Sequence, residues 1–285
     1  MKLTNNHSDS SRSPDHAVGW RGGDAGNSTH IVTKSLDIRV SALTHHFGEL
    51  QALQSINLHI QPGEFVSLVG VSGCGKSTLM RLIAGLQTPT QGTIWLDGQP
   101  PEAARAAKQI GWMAQQAALL PWRTVLENVQ LAQKINPQHG ENETSSPEYL
   151  LKMVGLADFA DAYPLTLSGG MQQRAALART LATGAAVWLM DEPFAALDEL
   201  TRELLAEELL QLWRQFRPTV LWITHNLHEA IRLSDRVVVL TPRPGTIAGE
   251  MAVPLPRPRD DTGADFQDLL RQTRVLLSRE RIYDQ

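Results

Sequence analysis

The sequence has little cysteine, no long apolar run and no excess of positive charge, and each shortage excludes a class of protein. Its 285 residues include one cysteine, Cys74, so neither an internal disulfide nor a multi-cysteine metal site can form. No stretch reaches the roughly 18 uncharged apolar residues that a membrane-spanning helix needs. The nearest candidate, residues 175–190, is interrupted by Arg179 and Gly184, and the N-terminus lacks the apolar core of a signal peptide. We therefore expect a soluble chain whose membrane role, if it has one, comes through a partner.

The charge balance is slightly acidic. The formal net charge is −4 and the sequence pI is about 6.1. General nucleic-acid binding usually needs a basic surface, so we expect no nucleic-acid partner. At 285 residues the chain is long enough for one large domain or two small ones with a sizeable core, and its 42% of hydrophobic residues is ordinary for a soluble globular protein.

The start of the chain differs in composition from the rest. Residues 1–34 are rich in Ser, Asp, Asn, Gly and His and contain few apolar side chains. Such a segment cannot bury enough surface to offset the entropy lost on ordering. The sequence therefore predicts a disordered leader.

From residue 35 to about 240 the pattern is that of an α/β domain. Apolar and polar residues alternate over 36–42 and 56–60, which predicts two half-buried strands. Residues 93–96 predict another. Apolar runs predict four further strands, at 65–69, 186–190, 220–224 and 237–240. The runs at 186–190 and 220–224 are continuous, as expected of parallel strands covered on both faces.

Helical patterns occupy three other parts of the chain. Residues 77–86 predict a helix shortly after the strand at 65–69. Residues 116–166 are mostly helical in pattern, with a polar break at 136–147. The tail places apolar residues near one helical face between Phe266 and Leu277, and we expect that helix to pack against the core. The prediction is an α/β core with an inserted helical section and an extension over 241–285.

A glycine-rich loop lies between the strand at 65–69 and the helix at 77–86. Gly70-Val-Ser-Gly-Cys-Gly-Lys76-Ser77 fits the pattern G-x-x-x-x-G-K-S/T in full. Its glycines let backbone N–H groups wrap an anion, and the helix N-terminus favours negative charge. Lys76 would reach the β- and γ-phosphates of a nucleotide, and Ser77 would ligate Mg²⁺. Cys74 could be a redox-sensitive group, but we favour the interpretation that it fills a permissive position.

Two carboxylates follow the apolar run at 186–190. Asp191 stands at the predicted C-terminal end of that strand, where it could hold the hydration shell of Mg²⁺. Glu192 could polarise a water molecule for in-line attack on the γ-phosphate. A solvated Asp-Glu pair is the alternative, and the upstream phosphate loop makes it weak.

A second anion site is predicted at Ser168, Gly169 and Gly170. Ser168 is a natural N-cap, and the sequence that follows favours a helix. Two glycines at a helix start leave N–H groups free to bind an anion. One nucleotide loop and one separate anion-binding helix start suggest a site that two copies of the chain share.

Together these residues resemble the ATP-binding subunit of an ABC transporter. The resemblance covers about residues 36–240 and is closest to the branch that serves nitrate, sulfonate and taurine importers. The motifs stand in the family's order: the phosphate loop at 70–78, Gln115, the signature at 167–171, Asp191-Glu192, residues 196–198, and His225. Two residues depart from the common pattern, Met171 after the signature glycines and Ala195, and neither removes a catalytic group.

The resemblance implies a fold and two ligands. The fold is a P-loop NTPase core (RecA-like) with an antiparallel β subdomain and an inserted α-helical subdomain, here about 116–166. The implied ligands are ATP and Mg²⁺, the latter held by Ser77, Gln115 and Asp191. The loop residues implied to hold the nucleotide are Gly70, Ser72, Gly73, Cys74, Gly75, Lys76, Ser77 and Thr78.

The resemblance also implies roles for single residues. Gln115 is similar to the glutamine that touches Mg²⁺ or the attacking water, and His225 to the histidine that contacts the γ-phosphate. With Lys76 and Glu192 they form the implied catalytic set. Asp198 is similar to the aspartate that couples two sites across a dimer. Phe47 lies where the family has an aromatic residue that stacks on adenine, and a core phenylalanine is the alternative.

The implied partners are a second copy of the chain and the permease subunits of a transporter. Leu119, Leu120 and Trp122 lie where the family contacts a cytoplasmic helix of the permease. Docking and interior packing are equally expected for the two leucines, and docking is favoured for Trp122. A periplasmic or surface solute-binding protein would act indirectly. The chain would then lie on the cytoplasmic face of a bacterial cell membrane.

Three other functions remain to be weighed against import. A soluble ABC ATPase that acts on DNA or ribosomes usually carries two cassettes or a long coiled coil, and this chain has neither. A P-loop kinase or GTPase leaves Ser168 to Gly170 and His225 unexplained. A regulatory module that binds ATP without hydrolysis has no need of Glu192.

Overall fold

A computed structural model describes residues 35–136 and 146–279. The predicted leader at 1–34 and most of the predicted polar break at 136–147 lie outside the described residues. Within the described residues, no helix is both long and apolar enough to cross a membrane.

A three-stranded antiparallel sheet begins the described chain. Its strands are β1 (Ile38–Phe47), β2 (Leu50–Ile60) and β4 (Gln91–Leu96), in the order β2-β1-β4. Alternation places Ile38 and Ile60 opposite each other in the core, where both are fully buried. The strands predicted from alternation are confirmed, although β1 and β2 run several residues further and meet in a tight hairpin.

The main sheet has six strands in the order β5-β6-β7-β3-β8-β9. Their bounds are β3 Phe65–Val69, β5 Ile110–Met113, β6 Val187–Asp191, β7 Thr219–Ile223, β8 Arg236–Leu240 and β9 Ile247–Ala252. The first five strands in that order are parallel, and β9 is antiparallel to β8. The four predicted apolar strands are confirmed. β5 and β9 were not predicted, because each is short and contains a glycine, and neither forms a continuous apolar run.

Helices cover both faces of the main sheet. They are α1 (Lys76–Ile83), α2 (Pro101–Ala106), α3 (Val125–Ile135), α4 (Pro147–Met153), α5 (Gly169–Leu181), α6 (Glu199–Phe216), α7 (Leu227–Leu233) and α8 (Ala264–Arg279). One face of the sheet, including Trp188 and Trp222, packs in a core with α3 to α6. The other face, including Leu189 and Ile223, packs with α1 and the antiparallel sheet. Burial on both faces explains why these strands are apolar throughout.

The section between β5 and β6 consists of helices. Thr124 and Glu127 form a capping box at the start of α3, which fixes where that helix begins. The buried side chain of Asn128 hydrogen-bonds the backbone of Leu120, Arg123 and Thr124, and so holds the preceding turn against α3. α3 and α4 both pack against α5, which leads into β6.

The chain after β8 returns to the sheet and then packs over α7. Within the predicted extension at 241–285, β9 pairs with β8, and α8 buries Phe266, Leu270 and Thr273. The predicted helical face is therefore confirmed. Arg259 hydrogen-bonds the carbonyls of Ser234 and Val253, and burial lowers the pKa of its guanidinium to about 10.

Candidate functional site

The candidate site lies at one edge of the main sheet, where the parallel strands end. The phosphate loop follows β3, Asp191 ends β6, and His225 follows β7 after one residue. Gln115 follows β5 after one residue. Carboxyl ends of neighbouring parallel strands meet at the same edge of a sheet, and ligands of open α/β sheets bind there. The topology therefore brings together residues that are up to 155 positions apart between Gly70 and His225.

Glycine geometry shapes the phosphate loop. Gly73 has φ +79° and Gly75 has φ +103°, conformations that residues with a Cβ rarely adopt. A Cβ on Gly75 would also lie 2.6 Å from Leu53 Cδ2. Lys76 Nζ donates to the carbonyl oxygens of Gly70 and Val71, each at 2.9 Å, and its side chain crosses the loop. An ammonium has three donors, and the third is directed at Cys74 Sγ, a weak acceptor at 3.8 Å that a phosphate oxygen could replace.

Cys74 packs inside the loop. Its side chain is buried and its Sγ lies 3.8 Å from Lys76 Nζ. Burial raises the pKa of the thiol above its usual range, although the charge of Lys76 opposes this. A buried thiol with a raised pKa is a poor nucleophile, which supports the packing interpretation over a redox one.

Asp191 is a buried carboxylate beside the loop. Burial raises its pKa, a hydrogen bond with the Ser77 hydroxyl lowers it in part, and the net change in the pKa is upward. Ser77, Asp191 and Gln115 line the same cavity and offer hydroxyl, carboxylate and amide oxygens, which are donors that Mg²⁺ accepts. No group of three or more His, Cys, Asp or Glu side chains that could hold a metal occurs in the described part of the chain. The donors therefore fit a Mg²⁺ ion that takes its other ligands from phosphate and water, not an all-protein metal cage.

Two other candidate catalytic residues, Gln115 and His225, approach the carboxylate of Glu192. Its backbone has φ +49°, a left-handed conformation that costs a glutamate on the order of 1 kcal/mol and that often marks functional sites. Gln115 Nε2 donates to Glu192 Oε2 at 3.2 Å, and His225 Nδ1 lies 3.5 Å from Glu192 Oε1. Two polar side chains from other strands thus converge on one carboxylate.

A cavity of about 290 Å³ is lined by Gln115, Glu192 and Phe47, whereas His225 lines a neighbouring cavity that Glu192 also borders. Phe47 is 45% exposed and packs edge-to-face on His45, so it is not the core residue that the sequence left open as an alternative. Leu50 and Arg243 also line the cavity, and neither was singled out from the sequence. The signal for Arg243 was present: a Pro-Arg-Pro-Gly turn directly after a predicted strand of the same sheet.

The signature residues do not line this cavity. Ser168 caps α5 through a hydrogen bond from Met171 N, as its sequence context predicts. A Cβ on Gly169 would meet nothing within 4 Å, whereas a Cβ on Gly170 would lie 2.9 Å from the carbonyl oxygen of Ala196. The start of α5 thus packs on the segment before Asp198 and leaves open space on its other side.

Asp198 likewise lies outside the cavity. Its Oδ1 accepts a hydrogen bond from Thr201 N at 2.9 Å and its Oδ2 from Thr201 Oγ1 at 2.7 Å. These hydrogen bonds lower the pKa of the Asp198 carboxyl. Within this chain Asp198 is therefore the N-cap of α6.

The ABC transporter family profile matches residues 53–195, half of the chain. The chain is 48% identical to the nitrate import ATP-binding protein NrtD of Synechocystis over 73% of its length and 78% of that protein. The chain belongs to the ABC transporter family. Other similar proteins are the aliphatic sulfonates import ATP-binding protein SsuB 1 of Xanthomonas axonopodis and the taurine import ATP-binding protein TauB of Jannaschia. Identity to SsuB 1 is 45%, covering 80% of this chain and 89% of that protein. Identity to TauB is 40%, covering 82% and 86%.

Solved structures agree with this assignment. A dimeric ATP-binding cassette in a post-hydrolysis state bound to ADP and Pi is 33% identical, with a TM-score of 0.68 over 76% of this chain and 98% of that one. The fold is thus that of an ABC ATPase cassette, as expected from the sequence. The chain is an ATPase of import-type ABC transporters.

Proposed function

We propose that this ABC ATPase powers an importer for a small anionic solute such as a sulfonate, taurine or nitrate. The observation that carries the proposal is the convergence of Gln115 and His225 on Glu192, beside Lys76 and Asp191. Such a set is suited to ATP hydrolysis. The import ATP-binding proteins named above supply the solute class.

In the proposed reaction the chain positions ATP and activates water. Lys76 places one positive charge against the β- and γ-phosphates, and loop N–H groups hold the remaining oxygens. Glu192 accepts a proton from the water that attacks the γ-phosphorus, as ADP leaves. Gln115 and His225 fix the orientation of Glu192, and His225, with its side chain 68% exposed, can also reach the γ-phosphate. Positioning and electrostatic stabilisation supply most of the rate in this class of reaction.

Mg²⁺ would be held by Ser77, Asp191 and Gln115. An ion held there would supply positive charge against the negative charge that develops on the phosphates. Asp191, buried beside Ser77, is placed to accept hydrogen bonds from the ion's water ligands. The raised pKa of Asp191 is a property of the chain alone, and a nearby cation lowers the pKa of a carboxyl.

Each complete site would take residues from two copies of the chain. Ser168, Gly169, Gly170 and Asp198 stand outside the cavity that holds Lys76 and Glu192. Among the described residues, the helix start at Gly169 borders open space, and its N–H groups could bind an anion. A second copy could present its phosphate loop there, and the solved relative described above is a dimer. ATP would then hold two copies together, and its hydrolysis would release them.

The surface around Trp122 is the proposed contact with the permease. Trp122 is 71% exposed, which favours docking over packing. Leu119 instead packs against the core that includes α5, and Leu120 is half-buried. Leu126 N donates to the carbonyl of Ala160, so the segment carrying the exposed Leu165 lies near this turn. An apolar surface of this kind suits a short helix of a partner.

The same turn is tied to the helix that begins with the signature. Arg179 on α5 donates to the carbonyls of Ala117 and Ala118 at 2.9 and 2.8 Å, and Gln173 donates to the carbonyl of Gln115 at 3.3 Å. A movement of α5 would thus be transmitted to Gln115 and to the Trp122 surface. This linkage gives ATP hydrolysis a physical route to the permease.

We propose that the chain lies on the cytoplasmic face of a bacterial cell membrane, where permease subunits hold it. A periplasmic or surface binding protein would supply those subunits with solute. The test is deletion of the gene from its host, with growth measured on taurine or another sulfonate as sole sulfur source and on nitrate as sole nitrogen source. We expect growth to be lost on one of these, to be restored by the wild-type gene and not by Glu192→Gln. Unchanged growth and unchanged uptake on all three solutes would contradict the proposed import role.

A further inference from the structure

The turn between β8 and β9 lies against the phosphate loop. β8 is parallel to β3, so its C-terminal end reaches the same edge of the sheet as the loop. The turn that follows spans 241–246 and carries Arg243 at the cavity that also holds Phe47 and Lys76. The proposed ATP site accounts for the other strand ends at this edge but gives this turn no role.

Backbone contacts fix the position of the turn. Gly245 N donates to the carbonyl of Ala52 at 3.0 Å, and Gln54 N donates to the carbonyl of Gly245 at 2.9 Å. A Cβ on Gly245 would lie 2.2 Å from the carbonyl oxygen of Cys74, so only glycine allows this approach. The Thr241 hydroxyl accepts a hydrogen bond from Thr246 N at 2.8 Å and closes the turn. Arg243 is therefore presented to the cavity by a rigid support.

The guanidinium of Arg243 has few partners within the chain. Among residues 35–136 and 146–279, its one hydrogen-bond acceptor is the carbonyl oxygen of Gly73, at 3.4 Å from both Nε and Nη2. A guanidinium has five N–H donors, and two long hydrogen bonds leave most of its capacity unused. Other arginines of the chain pair with carboxylates, as Arg257 does with Asp235. Among the described residues, no carboxylate forms such an ion pair with Arg243.

We propose that Arg243 is a nucleotide-binding residue whose guanidinium contacts a phosphate oxygen of bound ATP. Its position beside Gly73 puts a second positive charge next to the cradle, in addition to Lys76. Arginine matches phosphate oxygens well because its donors form a planar fork. The proposal rests on the ATP site proposed above and adds to that site a residue from outside the recognised motifs.

The test is equilibrium binding of ATP, GTP and inorganic triphosphate to full-length protein by calorimetry. The variants are Arg243→Ala, Arg243→Lys and the matched control Arg274→Ala, an exposed arginine on α8. We expect Arg243→Ala to weaken binding of all three ligands about fivefold to tenfold, with Arg243→Lys in between and the control unchanged. The loss should shrink as salt is added, because the site is open to solvent.

Other outcomes separate this proposal from its rivals. A loss for ATP without a loss for inorganic triphosphate would mean that Arg243 contacts the nucleoside, and it would overturn the phosphate contact. A lower melting temperature of the ligand-free variant with unchanged ligand affinity would mean that Arg243 only holds the loop through Gly73, and it would also overturn the proposal. Unchanged ATP binding in Lys76→Ala would instead contradict the underlying ATP site.

Discussion

Two faces of this molecule carry functional residues, and they differ in completeness. At the strand ends, Lys76, Asp191 and Glu192 surround one cavity and contact residues from neighbouring strands. At the start of α5, Ser168 and Gly169 border open space, and their only described hydrogen bonds are those of a helix cap and first turn. The first face is a cavity open to solvent, and the second is a helix start that borders open space at Gly169. The comparison supports a site made from one face of each of two copies.

Buried Glu229 and half-buried Arg202 connect segments that lead to the two faces. Glu229, on α7 shortly after His225, accepts a hydrogen bond from Trp222 Nε1 at 2.6 Å. Its other oxygen lies 4.0 Å from Arg202 Nε, and Arg202 Nη2 donates to the carbonyl of Leu197 at 2.9 Å. Leu197 directly precedes Asp198. The network therefore runs from Trp222, three residues before His225, to Leu197, next to Asp198.

The largest effect is expected from Glu192→Gln, which removes the proton acceptor at the strand-end face. Steady-state hydrolysis should fall by about 100-fold or more, since general-base catalysis contributes at least that much. ATP binding should remain, and gel filtration with ATP should show a trapped dimer. Glu102→Gln, an exposed change on α2, should leave both properties unaltered. Only monomer with ATP would count against the shared site.

A change at the other face should separate binding from turnover. Ser168→Arg should cut hydrolysis by about tenfold or more while ATP affinity of the monomer stays the same, because the bulky cation blocks an anion site supplied to the other copy. Ser146→Arg is the matched control, since Ser146 also caps a helix, α4, by accepting from Tyr149 N. An equal loss of binding and hydrolysis in Ser168→Arg would mean that the signature serves only the fold.

A smaller effect on the isolated subunit is expected at the docking surface. Trp122→Ala should leave hydrolysis by the purified chain within about twofold of wild type, because surface changes away from the site are usually mild. Solute uptake in cells and copurification with the permease should be lost. Trp95→Ala, a change of another exposed tryptophan on β4, should preserve uptake. Normal uptake with Trp122→Ala would place the contact elsewhere.

The smallest effect concerns the network between the faces. Burial raises the pKa of Glu229 above its ordinary value of 4.5, although the hydrogen bond from Trp222 opposes this. The folded state then keeps the proton to a higher pH than the unfolded state does. The free energy of unfolding should therefore fall as pH rises from 4.5 to the folded-state pKa, by about 1.4 kcal/mol for each pH unit between those two values.

Glu229→Gln removes this titration and keeps an acceptor for Trp222. Urea unfolding of wild type and variant, measured from acid to neutral pH, should show a stability difference that changes in favour of the variant as pH rises. A difference that is independent of pH would mean that Glu229 titrates alike in both states.

Much of the site could be predicted because its residues belong to short motifs that are far apart in sequence. The parallel sheet brings these motifs together at one edge. The sequence placed the phosphate loop, Asp191 and His225 after apolar runs, and those runs are strands. Arg243 also follows a predicted strand, but its role could not be predicted from that position alone, since the role depends on where a proline-rich turn packs. That placement is decided by Gly245 against Cys74, a contact between residues far apart in sequence.

The elements that the sequence did not predict have a similar physical origin. β9 does not stand out because Gly249 and Glu250 interrupt its apolar residues, and as an edge strand it has one buried residue and three half-buried ones. The exposure of Phe47 depends on the hairpin that ends β1, which alternation alone does not define. Leu119 packs inward because it contacts the core that includes α5. The local sequence around Leu119 does not predict this contact.

The central claim is that each ATP site combines the phosphate loop of one copy with the signature of another, and mixing two inactive variants tests it most directly. Lys76→Ala disables the cradle, and Ser168→Arg disables the signature. In an equimolar mixture, half of the dimers would carry one intact site, so hydrolysis should recover to about a quarter of wild type at most. Activity no higher than that of the two variants measured separately would contradict a shared site.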